Sequence, residues 1–120
     1  MLDHRLRAAI AYMREHVADP IAVEDVAGKV GLSRAHYFSL FRDQLHTTPQ
    51  VFWSAVRVEE AVRRLVLRDE PLTSVALELG FSSPGNFSRF FREHMGVTPS
   101  KFRRVASGPD QHPVTGVAGT

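Results

Sequence analysis

The stretch from Gly80 to Phe102, GFSSPGNFSRFFREHMGVTPSKF, decides how the rest of the chain is read. Gly80 follows a short apolar run, where a left-handed residue closes a helix. Ser83-Pro84 opens the next helix: serine caps it, and proline already holds the helical φ. Phe87, Phe91 and Met95 recur every four residues and predict one buried face. Thr98-Pro99 repeats the opening signal for a last short helix through Phe102 to about Arg104. Together with a short helix predicted from about Thr73 to Leu79, this gives helix, tight turn and longer helix, the helix-turn-helix signature.

The same pattern stands upstream. Val23-Glu24-Asp25-Val26-Ala27 answers to Leu72-Thr73-Ser74-Val75-Ala76, and Gly31 to Gly80, at a spacing of 49 residues. Ser33 answers to Ser83, Tyr37 to Phe87, Phe41 to Phe91, Arg42 to Arg92, Leu45 to Met95, Thr48-Pro49 to Thr98-Pro99 and Phe52 to Phe102, at a spacing of 50. One residue is therefore inserted in the second turn. Two copies are too few for a solenoid. In the first copy, Val23 to Val30 reads as a short helix with Val26, Ala27 and Val30 inward. Glu24 and Asp25 lie at the positive end of its dipole. Gly31 closes it, Ser33 caps the next helix, and Tyr37, Leu40, Phe41 and Leu45 form that helix's inner face.

The flanking segments complete the plan. Leu6, Ile10, Met13 and Val17 mark one face of a helix predicted from Asp3 to Ala18, ended by Asp19-Pro20. A helix predicted from Pro49 to about Arg68 buries some of Phe52, Val56, Val58, Ala61, Val62 and Leu65, until Asp69-Glu70-Pro71 breaks it. Trp53 reads as core filler and Arg57 as a structural residue pairing with a carboxylate such as Glu60. The segment 105–120 carries no aromatic and is expected to be disordered. No stretch alternates as a strand would. The expectation is an all-α chain of about seven helices. It forms one double helix-turn-helix domain over 1–104, with units at about 6–47 and 72–104 joined by a linker helix at about 49–68.

Composition narrows the function classes. The 120 residues are 43% hydrophobic and 23% charged, the balance of one globular domain. No apolar run nears the roughly 18 residues that span a bilayer. The start, Met1-Leu2-Asp3-His4-Arg5, lacks the apolar stretch of a signal peptide. The chain has no cysteine, which excludes disulfides and thiolate chemistry. A cytoplasmic protein without membrane contact, cofactor or metal is expected. The net charge of +2 says little, but 13 of the 15 basic residues are arginine. Arginine suits phosphate and guanine recognition, although a GC-rich genome produces the same skew. Enzyme readings find no support. The histidines at 4, 16, 36, 46, 94 and 112 show no His-x-x-x-His spacing. Glu59 and Glu60 are adjacent and cannot face each other on a helix. Neither a phosphate-binding glycine loop nor a nucleophile elbow is present.

A linker helix of roughly 20 residues is about 30 Å long. Successive major grooves on one face of B-DNA lie about 34 Å apart. A single chain is therefore able to present two recognition helices to adjacent grooves without dimerising. The strings Val26-Ala27, Gly31-Leu32-Ser33-Arg34, Thr48-Pro49 and Arg57 to Leu65 resemble the AraC/XylS family of bacterial transcription regulators. So do Gly80-Phe81-Ser82-Ser83, Phe87-Ser88-Arg89, Phe91-Arg92 and Gly96-Val97-Thr98-Pro99-Ser100. The resemblance covers about Leu6 to Arg104. It implies seven helices, double-stranded promoter DNA as partner, RNA polymerase as a second partner, and DNA binding by this unit as a monomer. Members often carry a separate effector-binding or dimerisation domain, to which nothing in this chain corresponds.

By the same resemblance, Ala35, Phe38 and Ser39 of the first recognition helix occupy base-reading positions, with Arg34, His36 and Arg42 on phosphates. The family often has arginine where Ser39 stands, which weakens the expectation of a guanine fork there. Ala35 and Phe38 suit thymine methyl groups instead, while lateral packing is the other role open to Phe38. In the second recognition helix Pro84, Gly85, Ser88 and Arg89 fall outward as base readers, with a phosphate contact the other role open to Arg89. Asn86 and Arg92 fall as phosphate contacts, with an adenine or simple support of the first turn also open to Asn86. Arg89 is the foremost base reader because a guanidinium pairs bidentately with guanine. Lys101, Arg103 and Arg104 form a basic cluster that suits phosphates or a solvated face. The short reach of Ala35, Ser39 and Gly85 keeps open one alternative, a helical protein-interaction module without DNA binding.

Overall fold

Side-chain caps set where most of the helices begin. The computed structural model describes residues 1–108, with seven α-helices and no strand in that range. Helix α1 (His4–Glu15) starts on Asp3, whose carboxylate accepts from the Arg5 guanidinium and, at 2.7 Å, from the Arg5 N–H. These bonds hold the Asp3 carboxyl down to about 2. A 3-10 turn (Val23–Asp25) leads into α2 (Val26–Lys29). Helix α3 (Arg34–Leu40) begins on the Ser33 hydroxyl, which accepts from the His36 N–H at 3.1 Å, and it continues as a wider π turn (Phe41–Leu45). Then come α4 (Pro49–Leu67), α5 (Leu72–Glu78), α6 (Pro84–Met95) and α7 (Pro99–Ser107). Thr48 caps α4 through the Val51 N–H at 3.1 Å, Ser83 caps α6 through the Asn86 N–H at 3.1 Å, and Thr98 caps α7 through the Lys101 N–H at 3.2 Å. Each of these three helices has proline as its first residue, where the missing N–H is not needed.

The chain divides into two units within α4, after Glu60. In the first, Leu6, Ala9 and Met13 of α1 pack with Val26, Ala27, Leu32, Tyr37, Leu40, Phe41 and Trp53. The Tyr37 hydroxyl donates to the Val23 carbonyl at 2.8 Å, which satisfies a polar group that would otherwise be stranded in the core. Burial, with Glu24 nearby, pushes this phenol well above its ordinary range, so it remains a donor. In the second unit, Ala61, Leu65, Val75, Ala76, Leu79, Phe87 and Phe91 form the core, with Phe102 against Phe91 at 5.5 Å between ring centroids. Gly31 and Gly80 close α2 and α5 at φ of 78° and 83°, as the repeat requires.

Several boundaries differ from the sequence reading. Helix α1 stops at Glu15, three residues early, because His16 turns out of the helix, stacks on Tyr12 and bonds Asp19 through Nδ1 at 2.7 Å. The Val23 to Val30 segment is a 3-10 turn followed by one α-turn rather than a single helix. Met95 is 37% exposed instead of joining Phe87 and Phe91, and Phe102 packs beside Phe91. Helix α7 runs through Val105, Ala106 and Ser107, closing on Gly108, so these residues are not disordered. The remainder of the segment expected to be disordered, 109–120, lies outside the described residues. Trp53 is core, at 6% exposure.

Candidate nucleic-acid interface

Helix α6 turns Phe87 and Phe91 inward, which leaves Pro84, Gly85, Arg89 and Arg92 exposed and Asn86 and Ser88 half-buried. A Cβ at Gly85 would meet the Ser83 hydroxyl at 3.8 Å, an ordinary contact, so packing within the protein does not demand glycine there. Arg89 Nη1 donates to Asn86 Oδ1 at 3.0 Å, and Asn86 Nδ2 donates to Ser82 Oγ. A hydrogen-bonded row thus runs from the turn onto the outer face of α6. Arg89 is held by a neutral amide, which leaves its positive charge uncancelled.

Helix α3 presents a different surface. Arg34, Ala35, His36 and Arg42 are exposed, whereas Phe38 and Ser39 are half-buried. Phe38 packs against the core, edge-on to Tyr37 at 6.0 Å, and the Arg34 guanidinium lies 4.9 Å from the Phe38 ring centre. That stacking leaves the arginine charge in solvent. The Ser39 hydroxyl donates back to the His36 carbonyl at 3.1 Å. Arg42 Nε donates to Asp43 Oδ1 at 3.2 Å, with both side chains well exposed.

Other basic residues serve the scaffold. Arg103 does not join a phosphate-facing cluster: its guanidinium donates to the carbonyls of Leu65 at 3.2 Å, Arg68 at 3.4 Å and Glu70 at 2.6 Å. It therefore satisfies carbonyls in the last turn of α4 and in the segment that leads from it to α5. Lys101 and Arg104 are exposed. Arg64 pairs with Glu78 at 2.6 Å, and Arg14 with Glu59. Arg57 sits 6.0 Å from the centre of the Trp53 ring, and burial draws its guanidinium down from its ordinary value. Among the described residues no cluster of His, Asp or Glu is arranged to hold a metal ion, and no helix is long and apolar enough to cross a membrane. Sequence reasoning passed over Ser82, Asp43 and the capping role of Arg103. Only Ser82 carries a sequence signal, as the extra residue of the second turn.

A family profile described as a helix-turn-helix domain matches residues 26–105. A transcriptional regulator from Chromobacterium violaceum, of the AraC-type DNA-binding class, superimposes with a TM-score of 0.79 at 29% identity, over 88% of this chain and 95% of that one. The chain belongs to the AraC-type helix-turn-helix family. The DNA-binding domain of AdpA, a global transcriptional factor solved in complex with a target DNA, superimposes with a TM-score of 0.78 at 28% identity, covering 90% of this chain and 98% of that one. YobQ of Bacillus subtilis, an uncharacterised HTH-type transcriptional regulator, is 34% identical over 98 residues, 82% of this chain. The probable transcription factor PqrA of Proteus vulgaris is 35% identical over 92 residues, 77% of this chain. The chain spans 41% of the length of YobQ and 75% of that of PqrA. This is a DNA-binding class of transcription regulators, not of enzymes.

Proposed function

We propose that the chain binds double-stranded promoter DNA in a sequence-specific manner, inserting α3 and α6 into adjacent major grooves. The observation that carries this reading is the duplication: two helix-turn-helix units in one chain, each with a capped second helix whose inner face is aromatic and whose outer face bears arginine. The AdpA complex with target DNA supports the partner. Arg89 reads a guanine, while Ala35, Phe38, Ser39, Pro84, Gly85 and Ser88 line the bases. Arg34, His36, Arg42 and Arg92 hold phosphates. One chain serves one asymmetric site as a monomer in the cytoplasm, with RNA polymerase as the further partner at the promoter.

A base-substitution series across both half-sites, run with wild-type and Arg89→Ala protein, tests this. Arg89→Ala is expected to lower affinity for the preferred duplex by about 1–3 kcal/mol and to relax preference at one or two base pairs of its half-site. The half-site facing α3 keeps its preference. Arg89→Lys rescues only in part, since lysine lacks the planar fork. An equal loss on every duplex makes Arg89 a phosphate anchor. Absence of duplex binding by the wild type returns the chain to the interaction-module reading.

A further inference from the structure

We infer that Asn86 is a positioning residue: anchored on Ser82, the residue inserted in the second turn, it aims the Arg89 guanidinium at its base pair. The inference rests on the reading of Arg89 as a base reader.

The insertion can be located from the backbone. The Leu32 N–H bonds the Ala27 carbonyl at 2.9 Å, and the Phe81 N–H bonds the Ala76 carbonyl at 3.0 Å, so these residues correspond at a spacing of 49. The caps Ser33 and Ser83 correspond at 50. Leu32 adjoins its cap directly, whereas Phe81 is separated from Ser83 by Ser82. The extra residue is thus the one whose hydroxyl receives the Asn86 amide. In the first unit the places of Asn86 and Arg89 fall to His36 and Ser39, and the Ser39 hydroxyl bonds the His36 carbonyl instead. The row belongs to the second unit.

Its chemistry is directional. With Nδ2 given to Ser82, Oδ1 faces Arg89 and accepts from Nη1. Turned over, the amide would set its donors against those of Arg89, so the donor-only guanidinium selects the orientation and the Ser82 hydroxyl holds the amide in place from the other end. Holding Arg89 by Nη1 leaves the edge formed by Nε and Nη2 to meet N7 and O6 of a guanine. A long side chain ordered before binding gives up less freedom on contact, which corresponds to about 2- to 10-fold in affinity for the base pair it reads.

The test is a double-mutant cycle on the preferred duplex and on duplexes substituted at the base pair read by Arg89, at two salt concentrations. Asn86→Ala is expected to reduce the preference at that base pair about 2- to 10-fold without changing the salt dependence. Ser82→Ala acts in the same direction and Ser82→Thr, which keeps the hydroxyl, restores wild-type preference. In an Arg89→Ala background the effect of Asn86→Ala disappears. Thermal melting of each variant stays near wild type, since Ser83 and not Ser82 caps α6. If Asn86→Ala retains its effect without Arg89, Asn86 reads a base itself and the inference is overturned. It is also overturned if the loss is uniform and the salt slope drops by about one, the mark of a phosphate contact. Should Arg89→Ala alone leave the preference profile unchanged, the base-reading assignment fails first, and the cycle shows that separately.

Discussion

Arg42 and Arg92 hold the same place in the two units, and each is followed by an acid, Asp43 and Glu93. Asp43 folds onto the Arg42 Nε, forming a pair so exposed that it adds little to stability. Beside a phosphate, the same carboxylate repels the backbone and competes for the guanidinium. Asp43→Asn is therefore expected to strengthen DNA binding by about 0.3–1 kcal/mol, more at low salt, with base preference unchanged. Fluorescence anisotropy titrations at two ionic strengths measure it, and an unchanged or weakened affinity would place Arg42 away from the DNA. At this scale the outward places of Arg89, Gly85 and Ala35 are legible from helical spacing alone. The half-burial of Phe38 is not, because spacing fixes a direction on the helix and says nothing of how far neighbouring elements reach over it.

His46 and Gly96 end the second helices of the two units with the same backbone, at φ of 56° and 81°, and each donates its N–H to the arginine carbonyl four residues back. Glycine adopts that conformation freely, whereas histidine is strained in it. His46→Gly is expected to stabilise the unit Met1–Glu60 by about 1 kcal/mol, after the greater freedom of glycine in the unfolded chain is discounted. Denaturant unfolding measures the change, and a destabilised variant would mean that the histidine side chain contributes more than its backbone strain costs. Elements whose signals are local are legible in the sequence: Ser33, Thr48, Ser83 and Thr98 all cap as their spacing requires. The π turn at Phe41–Leu45 has no such signal, since its apolar spacing suits an α-helix equally well. The ends of α1 and α7 escape for other reasons. His16 ends α1 through backbone bonds to preceding carbonyls, which composition does not encode, whereas the end of α7 carries a glycine signal at Gly108, φ 72°, that the polar run around it masks.

Over the whole molecule, a formal charge of +2 hides an uneven distribution. Acids take up Arg5, Arg14, Arg64 and Arg68, through Asp3, Glu59, Glu78 and Glu70. On the recognition helices Arg34 lies over a ring and Arg89 against an amide, so these two keep their charge free of acids, while Arg42 shares its charge with Asp43. For roughly 6 phosphate contacts, log K against log salt is expected to fall with a slope of about −5, and sedimentation is expected to find one chain per site. A slope near zero or a strict need for two chains would overturn the monomeric DNA-binding reading. The two recognition helices also differ in how freely they can change their text. Pro84, Gly85 and Arg89 are exposed, so a new letter at any of these places leaves the core of its unit undisturbed. Phe38, proposed to line a base, also packs against the core, and a substitution there must satisfy both roles. If the two halves of an operator face these helices as proposed, a letter read by Arg89 is free to drift quickly, while a letter read by Phe38 changes at the slower pace of a protein interior.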